Sequence, residues 1–256
     1  MTISLRFDGE VAVLTIDRPA ALNALNFDMI KALTRHADDI EQYHARGVVV
    51  VGAGERAFCA GADISELQDR SPREHFDSAV FGQVAFSKLA ALSMPSVAVI
   101  RGAALGGGLE LAMSCTYRIA LAGAKLGLPE IKLGLIPGYG GTQRLPRLIG
   151  TERALEMITS GRTLSAYDAL QAGLVDRLVE EGDPVSIGKA FLAERAEGRP
   201  SAVHLAREAV LAASRMDLDA GLRAEAELFS RAVRTADARE GIQAFLAKRS
   251  PEFTGK

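Results

Sequence analysis

The sequence is poor in cysteine and has no excess of charge of either sign. Its two cysteines, Cys59 and Cys115, lie in unrelated contexts, which argues against a disulfide framework or a metal-binding knuckle and favours a reducing, cytoplasmic setting. The formal net charge is −2 and both signs are mixed along the chain, so no basic face indicates nucleic acid or anionic lipid as a partner. We therefore expect the partners to be small molecules or further copies of the same chain.

Long apolar runs and targeting signals are missing as well. No segment approaches the roughly 18 consecutive apolar residues of a membrane-spanning helix, and the first residues lack the pattern of a signal peptide. We expect no membrane association and a mature chain that begins near Met1. With 256 residues, the chain can bury roughly 70–75% of its extended surface without disulfides or metals. One large domain with an appendage fits this length.

Segments with the hydrophobic pattern of strands alternate with segments that have the spacing of helices. This alternation predicts an α/β fold in which strands pair in parallel and functional loops gather at their carboxyl ends. The predicted strands are residues 3–7 and 11–16 as a hairpin, then 47–51, 97–100, 117–121 and 174–179. The predicted helices are 28–43, 72–92 with a capping box at Ser71 and Glu74, shorter ones from about Thr142, Thr151 and Ser165, and 184–248 throughout; a loop-rich stretch runs to Pro137.

A glycine-rich segment, residues 103–110, follows the predicted strand 97–100 and is expected to form a turn that starts a helix. The first NH groups of a helix lack internal partners and carry the positive end of its dipole, and glycines let another molecule approach them closely. The segment therefore indicates an anion or oxyanion site, with Glu110 in the first helical turn. The alternative is a glycine turn used only for close packing.

A second glycine-containing loop, residues 52–63, follows the strand 47–51. Gly52, Gly54 and Ala57 match the dinucleotide pattern G-x-G-x-x-A, but no helix opens at Gly54 and no second strand ends in an acid about 20 residues later. The alternative is that both glycine loops end parallel strands and face each other, each with one backbone NH. Two such donors would form an oxyanion hole.

A second carboxylate, Glu130, follows Pro129 and precedes the glycine-rich stretch 134–142. Pro129 can simply start a helical turn that places Glu130 at its positive end. However, the predicted strand 117–121 lies between Glu110 and Glu130, so the chain can go out and return, and the two carboxylates can meet over one substrate. A close pair titrates as a unit in which one member stays neutral, which supplies an acid and a base together.

Four motifs, in order and at compatible spacings, resemble the crotonase superfamily, and within it most closely enoyl-CoA hydratase. They are residues 17–25, 57–64, 105–110 and 129–145, and residues 240–249 resemble the last helix of that family. The resemblance implies a crotonase-like spiral of ββα repeats over residues 1–195 and a C-terminal helical region, 196–256, that builds trimers or dimers of trimers. It also implies reversible, syn addition of water across the 2,3 double bond of an enoyl-CoA thioester in fatty acid metabolism.

The resemblance also implies roles for individual residues. Glu110 and Glu130 resemble the two catalytic carboxylates, and the NH groups of Ala62 and Gly107 resemble the oxyanion hole. Gly138 matches a backbone position near the attacking water. The segment that resembles the coenzyme A contact contains Ala60, Ala62, Asp63 and Ile64. Coenzyme A is part of the substrate, so no separate cofactor is expected, and the four histidines have no metal-ligand spacing.

Several alternatives stay open at this level. An enoyl-CoA delta-isomerase of the same superfamily would shuttle a proton with one carboxylate, so the presence of two favours hydration without proving it. Some relatives bind RNA through a lysine-rich helix, but residues 28–46 mix both charges here. Ser65 stands where many relatives carry a phosphate-binding lysine, and Thr116 follows Cys115 where many carry an acid. Tyr139, between two glycines, either narrows the acyl pocket or packs outward.

Overall fold

The computed structural model describes residues 2–196, 202–213 and 216–255. The strands are β1 (Thr2–Asp8), β2 (Val11–Asp17), β3 (Gly47–Gly52), β4 (Ala57–Cys59), β5 (Ser96–Ile100), β6 (Ala103–Leu105), β7 (Tyr117–Leu121), β8 (Lys125–Gly127), β9 (Thr163–Ser165) and β10 (Arg177–Val179). The helices are α1 (Phe27–Tyr43), α2 (Pro72–Ala90), α3 (Gly107–Ser114), α4 (Gly141–Ile149), α5 (Thr151–Ser160), α6 (Ala166–Gln171), α7 (Pro184–Ala196), α8 (Ala202–Ala212), α9 (Leu218–Ala232) and α10 (Ala236–Leu246). None of these described helices is long and apolar enough to cross a membrane.

The chain divides into two compact units, Met1–Leu192 and Ala193–Lys256. The first contains both sheets. In the second, Asp237 of α10 is buried and its carboxylate accepts hydrogen bonds from the NH groups of Thr254 (2.7 Å) and Gly255 (3.2 Å), so the last residues are fastened to that helix. The sequence-based boundary between residues 195 and 196 stays a prediction, since residues 197–201 lie outside the described part. Over the described residues, the predicted helical tract 184–248 is four separate helices.

The strands of the first unit form two sheets that the chain visits in turn. The six-stranded sheet has the order β1-β2-β3-β5-β7-β10, and the four-stranded sheet has the order β4-β6-β8-β9. Each of β3, β5 and β7 in the first sheet is followed by one short strand of the second sheet, and then by a helix or a 3-10 turn that leads into a helix. Repetition of this step produces the expected spiral of ββα repeats. All pairings from β2 to β10 within the six-stranded sheet are parallel.

The middle strands of the six-stranded sheet are buried on both faces. Val48 and Val50 of β3 belong to the main core with α1, whereas Val49 and Val51 point to the opposite face and pack with Phe191 of α7. A strand covered on both faces needs apolar side chains at every position, which explains the continuous apolar runs of β3 and β5. These runs, the hairpin of β1 and β2, and the capping box of Ser71 and Glu74 are confirmed.

The short strands of the second sheet were not predicted from the sequence. Segment 103–105, predicted as part of a turn, is strand β6, and the loop-rich stretch before Pro137 contains β8 and the 3-10 turn Glu130–Leu133. Three-residue strands carry too few positions for a period-two pattern to stand out. The predicted strand 174–179 is wrong in its first half, because the NH of Leu174 bonds to Ala169 O (2.8 Å) and closes the end of α6.

Candidate active site

The glycine turn before α3 leaves a backbone NH available at the helix start. Gly106 has φ +48°, a conformation that favours glycine, and the NH of Glu110 bonds to Gly106 O (3.0 Å) as an early intrahelical bond. The NH of Gly107 therefore lies before the internal ladder of α3, at the positive end of the helix. The glycine turn also allows close packing, the alternative considered from sequence, because a Cβ at Gly108 would overlap with Cys59 O.

The second glycine loop brings the NH of Ala62 to the same place. The NH of Leu25 bonds to Gly61 O and the NH of Asp63 bonds to Leu25 O (both 2.8 Å), so the residues on either side of Ala62 are paired. A Cβ built at Gly107 would lie 3.2 Å from Ala62 N. Within the part of the chain that the structure describes, neither the Ala62 NH nor the Gly107 NH has a protein acceptor. Two neighbouring donors thus face one small space.

Glu110 is one of the few buried acids, with 1% of its surface exposed. Its Oε1 accepts hydrogen bonds from the NH groups of Tyr139 (2.8 Å) and Gly141 (2.7 Å). Burial, the largest influence, raises the pKa of Glu110 to about 7. The hydrogen bond from the Gly141 NH opposes this rise, the charge of Glu130 adds to it, and the Tyr139 NH and the charge of Arg144 oppose it. A carboxyl group with such a pKa exchanges protons readily near neutrality.

Glu130 is the first residue of the 3-10 turn that follows Pro129, so the local role considered for it from sequence is also realised. Its Oε2 is buried without a hydrogen-bond partner in the described structure, and a Cβ at Gly106 would lie 3.0 Å from its Oε1. Burial raises the pKa of Glu130. An unpaired buried carboxyl oxygen favours the protonated form, which is the form that donates a proton.

Arg144 of α4 holds the loop that supports Glu110. Its Nη1 donates to Tyr139 O (2.8 Å) and its Nη2 to Ser87 Oγ (3.3 Å) on α2. Gly140 has φ +110°, and a Cβ there would overlap with the guanidinium group. The loop can therefore present the NH groups of Tyr139 and Gly141 to one carboxylate oxygen because Arg144 fixes it from the other side.

The two NH donors and the two carboxyl groups line one pocket of about 720 Å³. Of the residues predicted for the site, its walls contain Ala60, Ala62, Ile64, Gly107, Glu110, Glu130 and Gly138. Asp63 is not among the lining residues. Its carboxylate accepts from Arg18 Nη1 (2.6 Å) and from the Ser65 NH (3.1 Å), and caps the 3-10 turn Ile64–Leu67.

Two residues of the pocket and one that supports its wall were not predicted from the sequence. His75 and Lys132 also line it, and no motif signalled either residue. Arg144 stood within the motif 129–145 without a predicted role. Cys59 has a pKa raised to about 12 by burial, in keeping with a space-filling thiol. The described residues contain no group of three or more His, Cys, Asp or Glu that could hold a metal ion.

Comparisons with known proteins extend over almost the whole chain. The family model described as enoyl-CoA hydratase/isomerase matches residues 6–256. The short-chain-enoyl-CoA hydratase of Clostridium acetobutylicum is 39% identical, over 98% of this chain and 96% of its own. The probable enoyl-CoA hydratase of Bacillus subtilis is 44% identical, over 99% of each chain. The crystal structure of enoyl-CoA hydratase from Bacillus anthracis superposes with a TM-score of 0.89 at 37% identity, over 99% of each chain.

Proposed function

Because this chain belongs to the enoyl-CoA hydratase/isomerase family, we propose that it is a hydro-lyase that adds water reversibly across the 2,3 double bond of an enoyl-CoA thioester. The product is the 3-hydroxyacyl-CoA. The observation that carries this proposal is the meeting of Glu110 and Glu130 in one pocket, beside the NH groups of Ala62 and Gly107. Two carboxyl groups supply the base and the acid that hydration needs, whereas isomerisation needs only one.

The two NH groups are proposed to bind the thioester oxygen. Attack of water at C3 moves the π electrons of the double bond through C2 and the carbonyl carbon onto that oxygen, which becomes negatively charged. Donors already fixed at the position where charge develops stabilise the transition state without reorganisation. The helix start at Gly107 adds the positive end of the α3 dipole to the same site.

Glu110 is proposed to act as the base and Glu130 as the acid during hydration. Glu110 takes a proton from water while the water oxygen bonds to C3, and its two backbone donors stabilise the carboxylate form until then. Glu130, whose pKa is raised by burial, is proposed to enter the reaction protonated and to give its proton to C2 as the enolate collapses. Syn addition is part of the proposal: it requires that water and proton reach the double bond from the one side on which Glu110 and Glu130 line the pocket. Dehydration runs the same steps in reverse with the roles exchanged.

The coenzyme A portion is proposed to lie along the backbone of residues 60–64, at the mouth of the same pocket. Ala60, Ala62 and Ile64 line it, and half of the Ile64 side chain is exposed. The Ser65 hydroxyl is already engaged, because it donates to Asp63 Oδ1 (2.6 Å). Coenzyme A enters as part of the substrate, so the proposal includes no separate cofactor and no metal.

The test is to offer a panel of enoyl-CoA thioesters to the purified protein. We expect the ultraviolet absorbance of the conjugated thioester to fall, and mass spectrometry to find a product heavier by one water. A product of unchanged mass with a shifted double bond would instead identify an isomerase, and no turnover of any thioester would refute the proposed function.

Replacing Arg144 with methionine should move the pH dependence of the reaction. The positive charge of Arg144 lowers the pKa of Glu110, so its removal should raise that pKa above about 7. Hydration requires Glu110 deprotonated, and the rising limb of kcat/KM against pH should therefore shift to higher pH. A pH profile for R144M and for R147M, which alters an exposed arginine on the same helix, checks this; equal shifts in both variants would contradict the role.

Self-association into trimers, or dimers of trimers, is proposed as well. It is supported by large apolar side chains that the second unit exposes, namely Leu218, Leu222, Phe229, Val233, Ile242, Phe245 and Leu246. Light scattering should then give three or six times the chain mass of 27.2 kDa. We also propose a cytoplasmic location, which the two free, buried thiols support.

A further inference from the structure

We propose that Tyr139 closes the acyl end of the pocket and makes the enzyme selective for short enoyl thioesters. This inference rests on the proposed function and adds a substrate class to it. Its basis is the position of one aromatic ring between the glycine turn of α3 and the middle of α2.

The backbone of Tyr139 is held on both sides. Its NH donates to Glu110 Oε1 (2.8 Å) and its carbonyl oxygen accepts from Arg144 Nη1 (2.8 Å). The ring is therefore attached directly to the loop that supports the base. Its Cδ2 would lie 3.4 Å from a Cβ at Gly107, so the ring also borders the space in front of the two NH donors.

The ring itself is fixed against α2. A Cβ at Gly82 would overlap with Tyr139 Cδ1, so only glycine leaves room for the ring at that position of the helix. Glycine inside a helix is unfavourable relative to alanine, and here the space it frees is filled by the ring. Phe86, one turn further along α2, meets the ring edge to face with centroids 5.5 Å apart. Only 8% of Tyr139 is exposed, so the outward orientation considered from sequence is not adopted.

The position of the ring limits the length of the acyl chain. We place the thioester oxygen at the NH groups of Ala62 and Gly107 and C3 beside Glu110. The Tyr139 ring borders Gly107 and its backbone NH bonds to Glu110, so in this placement the acyl carbons beyond C3 extend towards the wall that Tyr139 helps to form. The volume behind the ring is occupied by Gly82 and the fully buried Phe86. A crotonyl group ends before this wall, whereas a decenoyl group must displace the ring or turn away from it.

The test compares kcat/KM for crotonyl-CoA and trans-2-decenoyl-CoA in Y139A, Y139F and the unaltered enzyme. Each methylene accommodated or rejected by an apolar pocket changes kcat/KM by roughly 10- to 200-fold. We expect the unaltered enzyme to prefer crotonyl-CoA and Y139A to raise the decenoyl-to-crotonyl ratio by at least about 10-fold. Y139F keeps the ring and should keep the ratio. An unchanged ratio in Y139A would overturn the inference.

Two further variants keep the test decisive if Y139A folds poorly. Y139L retains apolar volume but shortens the side chain, and should raise the ratio in the same direction. G82A introduces a methyl group where Cδ1 now lies, so the ring must move towards the pocket and the ratio should fall. If both leave the ratio unchanged, Tyr139 does not set chain length. If the unaltered enzyme hydrates no thioester at all, the proposed function itself has failed.

Discussion

The variants E110Q and E130Q should each lower the turnover number for hydration by about 10²- to 10⁴-fold, the range typical of a lost general base or acid. In E110Q no group is left to take the proton of the attacking water. In E130Q the proton for C2 must come from solvent. This delivery is slow because the position of Glu130 Oε2 is buried. The thioester oxygen still meets both NH donors in either variant, so KM should change little. Steady-state kinetics with crotonyl-CoA measures both parameters.

The control for these variants is the exposed acid Glu152 on α5, and E152Q should have normal kinetics. The double variant E110Q/E130Q should be only slightly slower than the worse single variant, because groups that act in one step are not additive. Near-normal turnover in either single variant would refute the assignment of that residue.

Loss of activity in E110Q should not come from unfolding. The folded-state pKa of Glu110 is raised from 4.5 to about 7, so burial of its charge opposes folding. The contribution of Glu110 to the free energy of unfolding is most favourable below the unfolded-state pKa of 4.5, where the carboxyl group is neutral in both states. This contribution is lost as the pH rises through about 7, where the buried group must ionise. A glutamine stays neutral at every pH, and its amide oxygen can still accept from Tyr139 and Gly141. Above neutral pH, denaturant unfolding should find E110Q at least as stable as the unaltered protein.

The sequence predicted those parts of the fold and site that depend on local patterns. The strand 47–51 was visible because both of its faces are buried, and the capping box at Ser71 because two side chains at a fixed spacing satisfy each other's backbone. The predicted strand 117–121 between Glu110 and Glu130 indicated that the two carboxylates can meet. Both residues line one pocket in the structure, and their roles stay a proposal.

The remaining features depend on contacts between distant parts of the chain. The ring of Tyr139 occupies the space that Gly82 leaves, and Arg144 reaches Ser87 in addition to its local partner Tyr139. Nothing near Tyr139 or Arg144 in sequence specifies Gly82 or Ser87. Likewise, β4 is a strand because it pairs with β6, and β6 because it pairs with both β4 and β8. Such pairings have no periodic signature when they span three residues.

The variant G107A tests the proposed oxyanion hole and should lower kcat/KM for hydration by about 10²- to 10³-fold, the effect of losing one preorganised donor. The new methyl carbon would lie 3.2 Å from Ala62 N, in the space that the thioester oxygen must occupy to reach both NH groups. Gly107 is not in the left-handed region and alanine is the residue best tolerated in a helix, so the fold should persist with a small shift of the Ala62 backbone. Kinetics and circular dichroism of the same preparation would separate the two effects.

Two further glycine-to-alanine substitutions serve as controls for this test. In G108A the methyl group would overlap with the backbone oxygen of Cys59, so we expect loss of stability as well as activity. In G123A the methyl group meets nothing within 4 Å, so both should stay normal. Only the pattern of a folded but slow G107A, an unstable G108A and an unaffected G123A fits donors that act on the substrate. If G107A retained full activity, the thioester oxygen would have to bind elsewhere, because the methyl group leaves no room for it between the two amides.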